Sequence, residues 1–297
     1  MLSLYFSTFY RKKSGYFESI VYICANQIIQ KMRVAILVDN RSRGAQYACE
    51  HGLSVYVEVA DERYLFDTGQ SDKFILNAQE LGIELEKLDL AVISHGHYDH
   101  GGGLQQLLGI APELRIACSP QADCRRFSVS TAMTQYSGLP EPEIVRQPNR
   151  IPVNGIVKIS NHLTLFTLPH SAPSNPHLMR ETTDGLVPDT FADEVFALLR
   201  EDDKNVIFGG CTHHGLAQLF DFYTDIFKNK PITAFIGGLH LSGKSAEEIE
   251  AAAATAEKMH VGTWIINHCS GEEAIGVWQK RFGANPLSGF AGSITEI

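Results

Sequence analysis

Positive charge is in short supply. The chain carries 25 Lys and Arg against 34 Asp and Glu, a formal net charge of -9. That balance argues against broad electrostatic binding to nucleic acid or to an anionic membrane surface. Paired cysteine motifs are also missing. Cys24, Cys49, Cys118, Cys124, Cys211 and Cys269 form no CxxC and no dense framework, so a reduced, cytoplasmic setting is the simpler expectation. The apolar run near residues 20–25 is too short to span a bilayer. The basic cluster Arg11-Lys12-Lys13 follows an apolar start, the reverse of an export signal, and no clean small-residue cleavage site comes after it. There is no internal repeat, no low-complexity linker, and no Walker lysine beside Gly209-Gly210 or Gly237-Gly238, which excludes a nucleotide loop. Tryptophan is rare, at two residues, whereas histidine numbers twelve.

Hydrophobic residues at 44% and charged residues at 20% suit a globular chain with a substantial core. Residues 1–31 read as an N-terminal extension of uncertain role, either an extra helix or a stretch upstream of a start at Met32. From Arg33 the pattern becomes regular. Residues 34–38, 53–60 and 63–66 are Val- and Tyr-rich strand candidates, the last two forming a hairpin around Asp61-Glu62. Residues 71–81 have helical spacing and stop at Gly82. A buried strand at 88–94 is followed by Gly101-Gly102-Gly103 and a helix through Leu104, Leu107 and Leu108. Residues 127–155 read as a cap or substrate-facing segment and 170–190 as a long loop. Further strands are expected at 157–159, 163–168, 194–199, 205–208, 233–236 and 263–266. Ser245 and Glu248 form a capping box for a helix over 245–259. Mixed strands and helices without a linker predict one α/β domain over residues 32–297.

The sharpest feature is His95-Gly96-His97-Tyr98-Asp99-His100, placed directly after the strand at 88–94. Imidazole and carboxylate suit zinc and neighbouring transition metals. A tight loop at a strand end can aim His95 and His97 at one metal and Asp99 and His100 at another.

HGHYDH resembles the HxHxDH signature of the metallo-β-lactamase superfamily, and the likeness runs over residues 33–297. Phe66-Asp67-Thr68-Gly69 resembles the first motif, whose Asp supports the metal loop. Leu168-Pro169-His170 resembles the third, Gly209-Gly210-Cys211-Thr212-His213 the fourth, and Ile266-Asn267-His268 the fifth. The resemblance implies an αββα sandwich, two mixed sheets flanked by helices. It implies metal ligands at His95, His97, Asp99, His100, His170, His213 and His268, with Asp99 also catalytic. The fourth motif departs from the superfamily: Cys211 stands where most members have a bridging Asp, so either Cys211 or His213 is the ligand there. His240, Tyr98 and Asn40 are weaker pocket candidates, Asp193 and Glu194 are possible extra ligands, and His51 carries no expectation. Val38-Asp39-Asn40, His51-Gly52-Leu53-Ser54, FDTGQ, SHGHYDHGGG, GGCTHHG, GGLHL and NHCSG together resemble a subgroup related to dihydropterin (methanopterin-precursor) synthase.

The expected activity is metal-dependent hydrolysis of a small substrate, phosphorylated compounds included, by a metal-activated water. The expected cofactors are two divalent ions, zinc with manganese or iron as alternatives. No nucleic-acid or membrane partner is expected, and the sequence leaves oligomeric state open. One alternative is a non-hydrolytic, pterin-type synthase using the same metals; another is a binding protein with a vestigial metal site. Di-iron oxygen chemistry would call for a carboxylate-richer cluster and a flavin domain.

Overall fold

The computed structural model describes residues 7–13, 16–22, 31–169, 175–228 and 230–297. It divides the chain into two compact units, residues 1–31 and residues 32–297. In the first, Ser7–Lys13 pairs antiparallel with Tyr16–Tyr22. Among the described residues the extension is thus an antiparallel strand pair; residues 23–30 lie outside them. Its sequence is rich in Phe, Tyr, Ile and Val, which favour a pleated surface, and Ser14-Gly15 separates the two runs.

The larger unit is built on two sheets. The seven-stranded sheet runs, in spatial order, Arg150–Pro152, Ile116–Cys118, Leu90–Val92, Glu62–Phe66, Ser54–Val59, Arg33–Val38 and Ile294–Glu296. The six-stranded sheet runs Ile156–Lys158, Leu163–Thr167, Val195–Glu201, Lys204–Gly209, Ala234–Gly237 and Thr263–Ile266. Side-chain parity explains the layering. On Arg33–Val38, Val34 and Ile36 enter the core between the sheets, while Ala35 and Leu37 face outward onto a second core. On Val195–Glu201, Val195, Ala197 and Leu199 point inward, while Phe196 and Leu198 enter a third core. Alternate residues of one strand therefore serve two cores, so these strands read as unbroken apolar runs. Across the central interface the rings of Phe66 and Phe208 lie 4.5 Å apart.

Helices cover both outer faces. Lys73–Glu80 and Leu104–Ile110 supply Phe74, Ala78 and Leu107 to the core outside the seven-stranded sheet. Gly215–Phe227, Ala246–Glu257 and Gly271–Phe282 supply Leu219, Tyr223, Ala253 and Trp278 outside the six-stranded one. The architecture is therefore the expected αββα sandwich. The capping box at Ser245 and Glu248 is formed in both directions.

A four-stranded antiparallel sheet, Gly185–Pro188, Leu178–Thr182, Arg126–Val129 and Thr134–Tyr136, adds to this frame. Residues 170–190 are thus not all loop: the stretch contains a hairpin whose Thr182 pairs with Gly185. Its side chains are mostly half-buried or exposed, so no apolar alternation marks it in the sequence.

Candidate metal centre

Both sheets deliver their strand ends to one place. Asp39 and Asn40 follow Arg33–Val38, Asp67 follows Glu62–Phe66, and His95 and His97 follow Leu90–Val92. From the other sheet, Cys211 and His213 follow Lys204–Gly209, His240 follows Ala234–Gly237, and His268 follows Thr263–Ile266. Asp67, Phe191, Thr212, His240 and His268 all adopt positive φ, between 49° and 59°. Such a conformation costs roughly 1–3 kcal/mol for a residue bearing a side chain. Its concentration here means that packing elsewhere holds these turns in place.

The donors fall into overlapping groups whose ligating atoms lie within 4.8 Å of one another. These are His95, His97 and His213; His95, His100 and Cys211; Cys211, His268 and Cys269; and His51, Asp99 and His268. His95 Nε2 and His97 Nδ1 approach to 3.1 Å. Cys211 Sγ is 3.2 Å from His100 Nε2. Asp99 Oδ2 lies 3.3 Å from His268 Nε2 and 3.2 Å from His51 Nε2. The two fourth-motif candidates share His95 as a neighbour but otherwise differ: His213 lies beside His97, Cys211 beside His100 and His268. His170 lies outside the described residues.

A ring of hydrogen bonds aims these donors. Asp67 Oδ2 is 2.7 Å from His100 Nδ1, and Oδ1 accepts the Ser94 N–H. That leaves His100 Nε2 facing the cluster. Asn40 Oδ1 lies 2.9 Å from His268 Nδ1, and Asp39 Oδ1 accepts the His268 N–H. Asp193 and Glu194 act as holders of backbone. Asp193 Oδ2 accepts the Gly96 N–H and Oδ1 lies 2.6 Å from Arg126 Nη2. Glu194 accepts the N–H groups of His213 and His214 and bonds the His214 ring, which turns His214 away from the cluster. Gly96 must be glycine, because a Cβ there would collide with the Ala122 carbonyl oxygen.

The electrostatics divide the imidazoles. Burial, reinforced by neighbouring imidazoles, holds His95 and His213 well below the ordinary histidine range. Burial also takes His97 down to about 3 and His240 to about 4. At His100 burial again acts downward, but Asp67 and Asp99 outweigh it and lift the group to about 9. Burial pushes Asp99 up, and His100, His268 and His51 more than reverse this, holding its carboxyl well below the usual range. Neutral imidazole and ionised carboxylate are the ligating forms; His95, His97, His213 and Asp99 are already in them, whereas His100 would release a proton on binding metal. The donor set fits divalent metal on a further ground: both ring nitrogens of buried His213 lack a hydrogen-bond partner. Buried polar atoms are rarely left so, and an ion is one of the few explanations.

A cavity of about 280 Å³ opens onto the cluster, lined by Asn40, Tyr98, Asp99, Ser128, Ser137 and Leu178 among others. Ser128 and Leu178 come from the four-stranded sheet, which thus forms one wall. Sequence reasoning missed His51 and Cys269 here; the His51-Gly52 turn and the Cys following His268 were the available signals.

A family model described as the metallo-beta-lactamase superfamily matches residues 48–186. The chain is 26% identical to 7,8-dihydropterin-6-methyl-4-(beta-D-ribofuranosyl)-aminobenzene-5'-phosphate synthase of Methanocaldococcus jannaschii, over 78% of this chain and 85% of that protein. It is 28% identical to an uncharacterized protein of the same organism, over 82% of this chain and 92% of that one. Among solved structures it is similar to Tm1679, a metal-dependent hydrolase of the beta-lactamase superfamily. Identity there is 30% and the TM-score 0.77, over 90% of this chain and 99% of that one. Among the described residues no helix is long and apolar enough to cross a membrane.

Proposed function

The chain belongs to the metallo-beta-lactamase superfamily, with the divalent metal binding that membership implies, and we propose that it is a hydrolase of a small substrate, phosphorylated compounds included, with two metals at its centre. His95, His97 and His213 would hold one ion, together with His170. Asp99, His100 and His268 would hold the second, with Cys211 beside them. Bound there, divalent metal supplies Lewis acidity and a more acidic water. Zinc is the first candidate, since imidazole, thiolate and carboxylate all suit it.

The chain's own residues do the rest. Asp99, kept ionised by His100, His268 and His51, is placed to accept a proton from an attacking water and return it to the leaving group. His51, whose side chain is 54% exposed and 3.2 Å from Asp99, offers that proton a route to solvent. Ser128, Ser137, Tyr98 and Leu178 line the cavity and position the substrate against the cluster.

The observation that carries this reading is the convergence of His95, His97 and His213 with the His213 nitrogens unpartnered. The likeness to Tm1679 supports hydrolysis. The likeness to the pterin-linked synthase favours a second reading, in which the same centre joins two substrates. Product analysis separates the two. Metal-loaded protein is offered phosphodiesters, esters, amides and lactones, and separately a dihydropterin with an aryl phosphate. Hydrolysis of any of the first set, lost in His97→Ala, supports the proposal. Condensation of the second set without hydrolysis of the first establishes the alternative.

A further inference from the structure

Cys269 lies among the donors of the centre but has been given no role in holding either ion. It follows His268 in the short turn His268–Ser270, and its Sγ belongs with Cys211 Sγ and a His268 nitrogen to a group spanning no more than 4.8 Å. Both thiols are buried, and both line the cavity that holds the other donors. The turn is held from behind: with Asn40 Oδ1 on His268 Nδ1, Nε2 is the nitrogen that faces the cluster, 3.3 Å from Asp99 Oδ2. Cys269 Sγ accepts the His240 N–H at 3.3 Å, and hydrogen bonds of this kind orient and tune a ligating sulfur. A side chain at Gly238 would collide with Cys269 Sγ, so the backbone leaves room for that sulfur. Cys118 provides the contrast, as it packs with Ile93, Leu104 and Ile116 in an apolar cluster and belongs to none of the donor groups.

We propose that Cys269 is a second thiolate donor, so that the half of the centre built on Cys211, His268 and Cys269 takes a thiophilic divalent cation. The inference rests on reading the cluster as a metal centre. Two thiolates make this half much softer than an all-imidazole and carboxylate site, selecting zinc, cadmium or cobalt(II) over manganese or magnesium. Each thiol releases its proton when the cation binds, so no oxidant or reductant is involved.

Cobalt(II) tests this without reference to activity. The full chain, stripped and reloaded with cobalt(II), should show intense near-ultraviolet thiolate-to-cobalt absorption. That band should fall by roughly half in Cys269→Ser and in Cys211→Ser, and vanish in the double variant, in keeping with sulfur ligation. In wild-type protein, which avoids any folding defect of the variants, cadmium should protect Cys211 and Cys269 together from alkylation, with exposed Cys49 still reacting. An unchanged band in Cys269→Ser, or protection of Cys211 alone, overturns the proposal. Cobalt retained by the protein without a thiolate band also overturns it while leaving the imidazole half standing. Protein that binds no cobalt at all removes the metal-centre reading, and this inference with it.

Discussion

The carboxylate of Asp67 stands behind the imidazole of His100, its Oδ2 2.7 Å from Nδ1, with both side chains fully buried. Asp67 thereby fixes which nitrogen of His100 faces the cluster and raises its basicity. Asp67→Asn should weaken metal affinity by about 10- to 100-fold, the usual cost of losing such a partner. A chelator-competition titration measures this, and an unchanged affinity would count against the assignment.

His213 and His214 are adjacent in sequence and face opposite ways. His213 joins His95 and His97, while His214 bonds Glu194. His213→Ala should lose an ion and the associated turnover. His214→Ala should keep its metal and lose only about 1–3 kcal/mol of stability, from a weakened hydrogen bond to a buried carboxylate. Metal content and urea midpoints of the two variants are the comparison.

The metal-free protein should be most stable near the ordinary histidine value. His95, His97, His213 and His240 have lowered folded-state values, so the unfolded chain takes up protons first as pH falls. Each such group then removes about 1.4 kcal/mol per pH unit below about pH 6.5. His100, raised to about 9, contributes stability that is complete below about pH 6.5 and lost as pH climbs through about 9. Urea midpoints of chelated protein across this range should form a dome. A flat profile would contradict the charge states described.

Arg126 ties the four-stranded sheet to the metal loop. Its guanidinium lies 2.9 Å from Asp189 and 2.6 Å from Asp193, and Asp193 in turn holds the Gly96 N–H between His95 and His97. Arg126→Met should cost about 3–5 kcal/mol, because it strands two buried carboxylates. Chemical denaturation checks this.

Much of the fold and part of the candidate site were legible in the sequence. The central strands of the sandwich announced themselves because they pack apolar residues on one face or both, and the density of HGHYDH at a strand end marked the cluster; the short strands Ile116–Cys118, Arg150–Pro152 and Ile294–Glu296 did not, being three residues each and, at Ile294–Glu296, largely exposed. What stayed hidden depends on long-range pairing. Arg126 finds Asp189 63 positions away and Glu194 grips the His213 N–H from 19 away, relations that leave no local periodicity. The hairpin of Leu178–Thr182 and Gly185–Pro188 was obscured by its half-exposed side chains; Asp184-Gly185 was its one turn signal. Asp193 and Glu194, considered as ligands, instead brace the backbone beside them, a distinction that needs the direction of each side chain. Cys269 and His51 enter the cluster only because turns bring them beside His268 and Asp99.

The central claim is that this cluster holds divalent metal, and elemental analysis of purified protein tests it most directly. Native protein should carry about two ions per chain, and His97→Ala should carry fewer while remaining folded by circular dichroism. Native protein that binds no zinc, manganese or iron after reconstitution with each would contradict the account.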